Sequence, residues 1–219
     1  MKIYHYSHFD YWRDIKRGSW KSKEKPGLGA HRRMGREDTE AWEAGAVFAL
    51  LEPLPDNWVK NEHFEGVWDY LRNDMGTLLL ELEVDPEKDK VFVVDRGHVE
   101  GFLYDDKKGI PERYLHSTRR EGERAYMESK IPLRDYLSRA KELGYSMPEV
   151  IVLEDVPLER IKVSERQPLI EEELREYRGE YRRRRIRDIR EIPELARWYE
   201  QHESELRKME EGGERLRRR

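Results

Sequence analysis

The chain has 219 residues, 41% of them charged and 37% hydrophobic, with a formal net charge of −4. That is length for one domain with a core plus an appendage, too apolar for disorder throughout, and too acidic overall to attract nucleic acid by charge alone. Zero cysteines exclude disulfides and thiolate metal sites and fit a reducing compartment, while the excess of Glu, Arg and Lys over Asn and Gln is the balance of proteins from hot environments.

In chain order, Lys2 to Ser7 alternates as a strand, with Ile3, His5 and Ser7 on one face and Tyr4 and Tyr6 on the other. Phe9, Trp12 and Ile15 then recur at helical spacing with Gly18 as the stop, and Ser7 stands at capping-box spacing from Asp10. Residues 21 to 45 are polar and glycine-bearing, with Pro26-Gly27-Leu28-Gly29 and His31-Arg32-Arg33, and read as a long loop or lid. Ala46 to Leu51 is a short buried strand punctuated by Pro53 and Pro55. Trp58 to Arg72 reads as mixed or helical, with Trp68 and Leu71 on one face.

Leu78 to Val84 alternates as a strand closed by Asp85-Pro86, and Val91 to Val94 is another; their short connection suggests an antiparallel pair. Glu81 and Glu83 share the solvent-facing side of the first, a reading preferred to acid-base or metal work. Residues 95 to 128 are charged and glycine-punctuated and read as a second long loop, with Asp95-Arg96-Gly97-His98 as a turn. Pro132 opens a helix whose Leu133, Leu137, Ala140 and Leu143 share a face, and Gly144 ends it. Pro148 to Leu153 and Val156 to Val163 are β-prone, so strands interleave with helices and the class is α+β.

Beyond Val163 the character changes to Arg and Glu with sparse Leu, Tyr, Ile and Trp, as helices broken at Ile192-Pro193. A boundary near Ser164 therefore gives an α+β domain, 1–163, and a charged helical extension, 164–219. Arg182 to Arg185 lie among Glu176, Glu180, Asp188 and Glu191, which favours a self-neutralising helix over a nucleic-acid arm. No stretch has the length of a membrane span and no secretory leader opens the chain, so the expected location is cytoplasmic. No phosphate-cradling glycine loop is present, which removes ATPase and Rossmann readings. His5, His8, His31, His63, His98 and His116 are scattered without metal-ligand spacing, so no metal is expected.

Tyr4-His5-Tyr6-Ser7-His8, followed by an aromatic-rich helical segment and Gly18, resembles the opening strand of ADP-ribosyltransferase-like domains. Pro148-Glu149-Val150-Ile151-Val152 with Val156-Pro157-Leu158-Glu159-Arg160-Ile161 resembles the late strand and exit of DNA-modifying and related members. The two segments bracket residues 4 to 163, and only these ends match. The resemblance implies a split, largely antiparallel sheet and NAD as co-substrate. His5 would bind a ribose hydroxyl, the Tyr6 backbone the nicotinamide amide, and Ser7 would add a hydroxyl contact. Glu149 would be the catalytic carboxylate, stabilising positive character on the sugar as carboxylates do in glycoside hydrolysis. Many members stack a Tyr on nicotinamide; here Phe48 stands in the matching run. Arg32 and Arg33 stand out of place for the arginines of the RNA 2′-phosphotransferase branch, and the helix from 132 to 144 takes the place of a substrate loop found in some members.

The implied reaction is ADP-ribose transfer from NAD to a nucleic-acid or protein acceptor, or the related removal of an RNA 2′-phosphate. The alternative is a noncatalytic module binding nucleic acid or protein. In that reading His5 is a structural histidine, Ser7 a helix cap, and Glu149 a carboxylate at a strand start.

Overall fold

A computed structural model describes residues 1–7, 11–12, 15–16, 26–30, 45–64, 66–68, 76, 78–103, 108–166 and 200. The chain divides into two units, Met1–Lys162 and Val163–Arg219. The expected helical extension lies almost wholly outside the described residues, as do the arginine run, His8, His31 and most of the first expected helix. Trp12 and Ile15 of that helix are helical and buried.

The fold is α+β, with helices beside antiparallel strand pairs. Strand β1 (Lys2–Ser7) runs antiparallel to β4 (Leu78–Glu83), Lys2 opposite Glu83 and Ser7 opposite Leu78, and β9 (Ile161–Val163) lies on the far edge of β4. A second sheet has the order β3 (Val47–Ala49), β7 (Pro148–Val152), β5 (Val91–Asp95), β6 (Ile131–Pro132). Its neighbours are antiparallel throughout. In the loop expected over 21–45, β2 (Gly27–Leu28) pairs with β8 (Val156–Pro157).

The strands follow the sequence pattern closely. Leu78, Leu79, Leu80 and Leu82 are wholly buried, while Glu81 is half-buried beside Lys2 at 2.5 Å and Glu83 is exposed. From β1, Tyr4 and Tyr6 enter an aromatic cluster in which the Tyr6 and Trp68 rings meet edge to face at 5.8 Å, and Trp58 and Trp68 at 6.3 Å. Each such contact adds about 0.5–1.5 kcal/mol beyond the area buried.

Three expectations are corrected. Strands β4 and β5 do not pair; they belong to different sheets. Between them, residues 85–89 close a turn in which Asp85 accepts from the backbone of Glu87 and Asp89 caps the N–H of Asp85. The Arg160 guanidinium donates to the Glu83 carbonyl at 2.7 Å and to the Asp89 carboxylate, tying the end of β4 to this turn.

The span 95–128 is not one loop: it contains helices at Gly97–Leu103 and Arg119–Glu128 and a 3₁₀ turn at Glu112–Tyr114. With the short helix Asp56–Val59 as α1, these two helices are α2 and α3, and Leu133–Leu143 is α4. Helix α3 starts on a capping box, Thr118 accepting from the Glu121 N–H while the Glu121 carboxylate accepts from Thr118. In α4 the buried positions are Leu133 and Tyr136, whereas Leu137 is 51% exposed. An aromatic at 136 displaces the leucine from the buried stripe. Gly144 ends α4 in the left-handed conformation, φ 57°, as its sequence position implied.

Glycine in α2 is a packing requirement. A Cβ on Gly101 would stand 2.1 Å from the Tyr114 carbonyl oxygen. Gly101→Ala is therefore expected to destabilise the fold by about 1–3 kcal/mol, the usual range for overpacking, even though alanine favours helix. Urea unfolding of the two proteins measures it, and an unchanged midpoint would show that α2 does not lie this close to Tyr114.

Candidate functional site

The two sheets touch at one isolated bridge, where Tyr4 and Leu50 exchange backbone hydrogen bonds of 2.8 and 2.7 Å. Continued by one more hydrogen-bonded pair, an antiparallel ladder would join Tyr6 to Phe48. Pairing stops at the bridge instead, and the Phe48 carbonyl receives the imidazole Nδ1 of His5 at 2.6 Å. The histidine side chain thus occupies the place where β1 and β3 part.

Two consequences follow from strand geometry. A carbonyl only accepts, so His5 Nδ1 carries the proton and Nε2 of the neutral ring is an acceptor. The backbone groups of Tyr4 point toward β3, away from β4, and residues two apart on a strand point the same way. The N–H and C=O of Tyr6 therefore point away from β4, to the side of β3. The Tyr6 side chain is anchored elsewhere, its hydroxyl donating to the Pro53 carbonyl. Ser7 is buried at the end of β1.

Phe48 is half-buried on a cluster formed by Ala46, Val94, Tyr126 and Ile151. It stands opposite Ile151 on β7, so its side chain shares a face with Glu149 two residues along. The structure thus gathers His5, Tyr6 and Phe48 beside the Tyr4–Leu50 bridge and sets Glu149 one strand away.

Glu149 is 1% exposed and held at both oxygens. Arg96 Nη1 donates to Oε1 at 3.2 Å and the Tyr126 hydroxyl to Oε2 at 2.6 Å. Arg96 also donates through Nε to Glu100 at 2.6 Å. One buried guanidinium therefore serves two buried carboxylates. Burial pulls the Arg96 guanidinium down, but the Glu149 and Glu100 charges more than reverse this and hold it well above the ordinary value. Beside it, Asp95 is saturated: Oδ1 accepts from the N–H groups of Gly97 and Met147, and Oδ2 from the Tyr114 hydroxyl and the Ser146 N–H. Burial, then the Asp95 carboxylate, pushes the Tyr114 hydroxyl far up.

This ion cluster was not visible in the sequence as a site. Its one local sign is Arg96 and Glu100 at i,i+4 spacing, which the glycines beside them disguise as a turn. Among the described residues no group of three or more His, Asp or Glu side chains is disposed to hold a metal, and no helix is long and apolar enough to cross a membrane. No protein-family model, curated protein or solved structure matches the chain.

Removing the guanidinium would take its charge away from two buried carboxylates. Arg96→Met is expected to cost about 3–5 kcal/mol, the scale of breaking a buried ion pair. Tyr126→Phe removes one hydrogen bond to a charged group and should cost about 1.5–3 kcal/mol. Denaturant unfolding checks both, and an Arg96→Met protein as stable as wild type would mean that Glu149 is not held by that residue.

Proposed function

We propose that the chain binds NAD where β1 and β3 part, and acts there as an ADP-ribosyltransferase-like enzyme. The observation that carries this reading is the meeting of the His5 imidazole with the Phe48 carbonyl beside the Tyr4–Leu50 bridge, next to Tyr6 in the strand. A primary carboxamide offers one carbonyl acceptor and one NH₂ donor side by side. A strand residue with its N–H and C=O directed the same way is its complement. The nicotinamide amide would thus bind Tyr6 as an added strand would. His5 Nε2 would accept from a ribose hydroxyl, Ser7 would add a contact at the end of the strand, and the Phe48 ring would offer an apolar surface to the nicotinamide.

The chemistry is cleavage of the bond between the ribose C1′ and the nicotinamide nitrogen. The bonding pair leaves with nicotinamide and the ribose gains oxocarbenium character. A nucleophile on the acceptor then attacks C1′ and loses its proton. A carboxylate stabilises the developing positive charge. Glu149 would supply it by exchanging one of its present partners for the ribose, while Arg96 keeps Glu100. Transfer to a nucleic-acid or protein acceptor and removal of an RNA 2′-phosphate both fit this site.

A second reading, a noncatalytic nucleic-acid- or protein-binding module, is favoured by one observation: Glu149 is buried with both oxygens occupied. Titration of the full chain with NAD separates the two. Saturable binding is expected, weakened about tenfold in His5→Ala, as losing one hydrogen bond worth about 1.4 kcal/mol would do. Glu149→Gln should bind NAD and release no nicotinamide from it. Wild type that does not bind NAD overturns the proposal; equal nicotinamide release by Glu149→Gln and wild type removes Glu149 from the chemistry.

A further inference from the structure

We propose that His98 and His116 form a proton-operated latch that pins α2 to the start of α3 and opens on acidification. The inference goes beyond the NAD reading and stands whether or not the chain binds that molecule. His98 Nδ1 and His116 Nε2 lie 3.1 Å apart, with ring centroids at 5.3 Å. His98 also packs edge-on against Tyr114 at 5.0 Å, in the 3₁₀ turn between the helices. Helix α3 presses on both: a Cβ at Gly122 would stand 2.8 Å from the His98 carbonyl oxygen and 3.3 Å from the His116 ring. His116 lies two residues before the Thr118 cap of α3.

Proton positions follow from the partners. Between two neutral rings, one of the facing nitrogens carries the proton and the other accepts it. A first added proton on the far nitrogen of the donating ring leaves that N–H in place. The pair survives this step as a charged hydrogen bond. A second proton sets N–H against N–H between two cations, and the contact breaks. The two rings therefore titrate as a pair.

The surroundings favour the uncharged pair. For His98, burial is the main cause of a lowered pKa, aided by the charges of His116 and Arg113 and opposed by Asp95 and the Arg113 carbonyl. For His116, burial lowers it and Glu121 opposes. The Tyr114 ring also packs on His98, and the Glu121 carboxylate is itself engaged by the N–H groups of Ser117 and Thr118. The folded pKa values lie below the ordinary histidine value of 6.5, so the unfolded chain binds more protons in the window beneath it. The latch contributes fully above pH 6.5 and is lost as pH falls from there through the folded values.

What the latch joins gives it consequence. Helix α2 carries Glu100 and begins just after Arg96, and α3 carries Tyr126; together they hold Glu149. Loosening α2 from α3 separates the groups that clamp this carboxylate.

The test is a pH titration of the full chain from 8 to 4.5, following the ring nitrogens of both histidines by NMR and the backbone amides of both helices by hydrogen exchange. Expected are two linked steps. Exchange in α2 and α3, corrected for its intrinsic pH dependence, should accelerate about tenfold per pH unit separating folded and unfolded pKa values. In His116→Gln, whose amide keeps a donor and cannot charge, the acceleration should fall to a single step owed to His98, whereas His63→Gln should retain both. Independent single-step titrations, exchange that does not respond to pH, or an unaltered response in His116→Gln would each overturn the latch.

Discussion

One buried guanidinium organises the interior around Glu149. Arg96 reaches Glu100 on the helix that follows it and Glu149 on the central strand β7, and its guanidinium carbon lies 6.0 Å from the centroid of the Trp58 ring. A carboxylate in such a place has no water to solvate it and persists only with a cation and hydrogen bonds supplied by the protein. Arg96 and the Tyr126 hydroxyl are that supply, so the seating of α2 and α3 over β5 and β7 is a condition for ionised Glu149. Asp95, the residue before Arg96, fixes the same corner from the other side by receiving four donors. The cluster ties the end of β5, the 3₁₀ turn and the start of β7 into one piece.

The parting of the two sheets is built on a different logic. Pairing of β1 with the β3 strand ends at the Tyr4–Leu50 bridge. His5 makes the parting tolerable by giving the Phe48 carbonyl the donor that the ladder no longer brings. Phe48 is the hinge between the two regions, its carbonyl on His5 and its side chain on the face of Glu149.

Close approach explains why part of this architecture carries a charged, glycine-rich sequence. Gly101 lies against the Tyr114 carbonyl and Gly122 against that of His98. Side chains there would push the helices off the cluster they cover. The resulting helices have few apolar residues, and their buried faces include Glu100, Glu123, Arg96 and Tyr126. Periodicity of apolar residues, the main signal for a helix, is weak where the buried face is itself polar.

The sequence by itself determined the α+β class, the alternating strands at Lys2–Ser7 and Leu78–Glu83, the buried runs at Val91–Asp95 and Pro148–Val152, and the end of α4 at Gly144. Each depends on local patterning or local conformation, which neighbours along the chain suffice to express. It also singled out His5, Tyr6 and Phe48, whose meeting beside the Tyr4–Leu50 bridge only the fold displays. Tertiary structure alone decided that β4 and β5 lie in different sheets, that the span after Asp95 is helical, that Leu137 faces solvent, and that Glu149 is held by Arg96 and Tyr126. Those outcomes depend on residues 23 to 77 positions apart, where Arg160 reaches the Glu83 carbonyl and Tyr126 reaches Glu149. Charge in a sequence does not reveal whether water or a distant partner will compensate it; only the folded chain brings that partner within hydrogen-bonding distance.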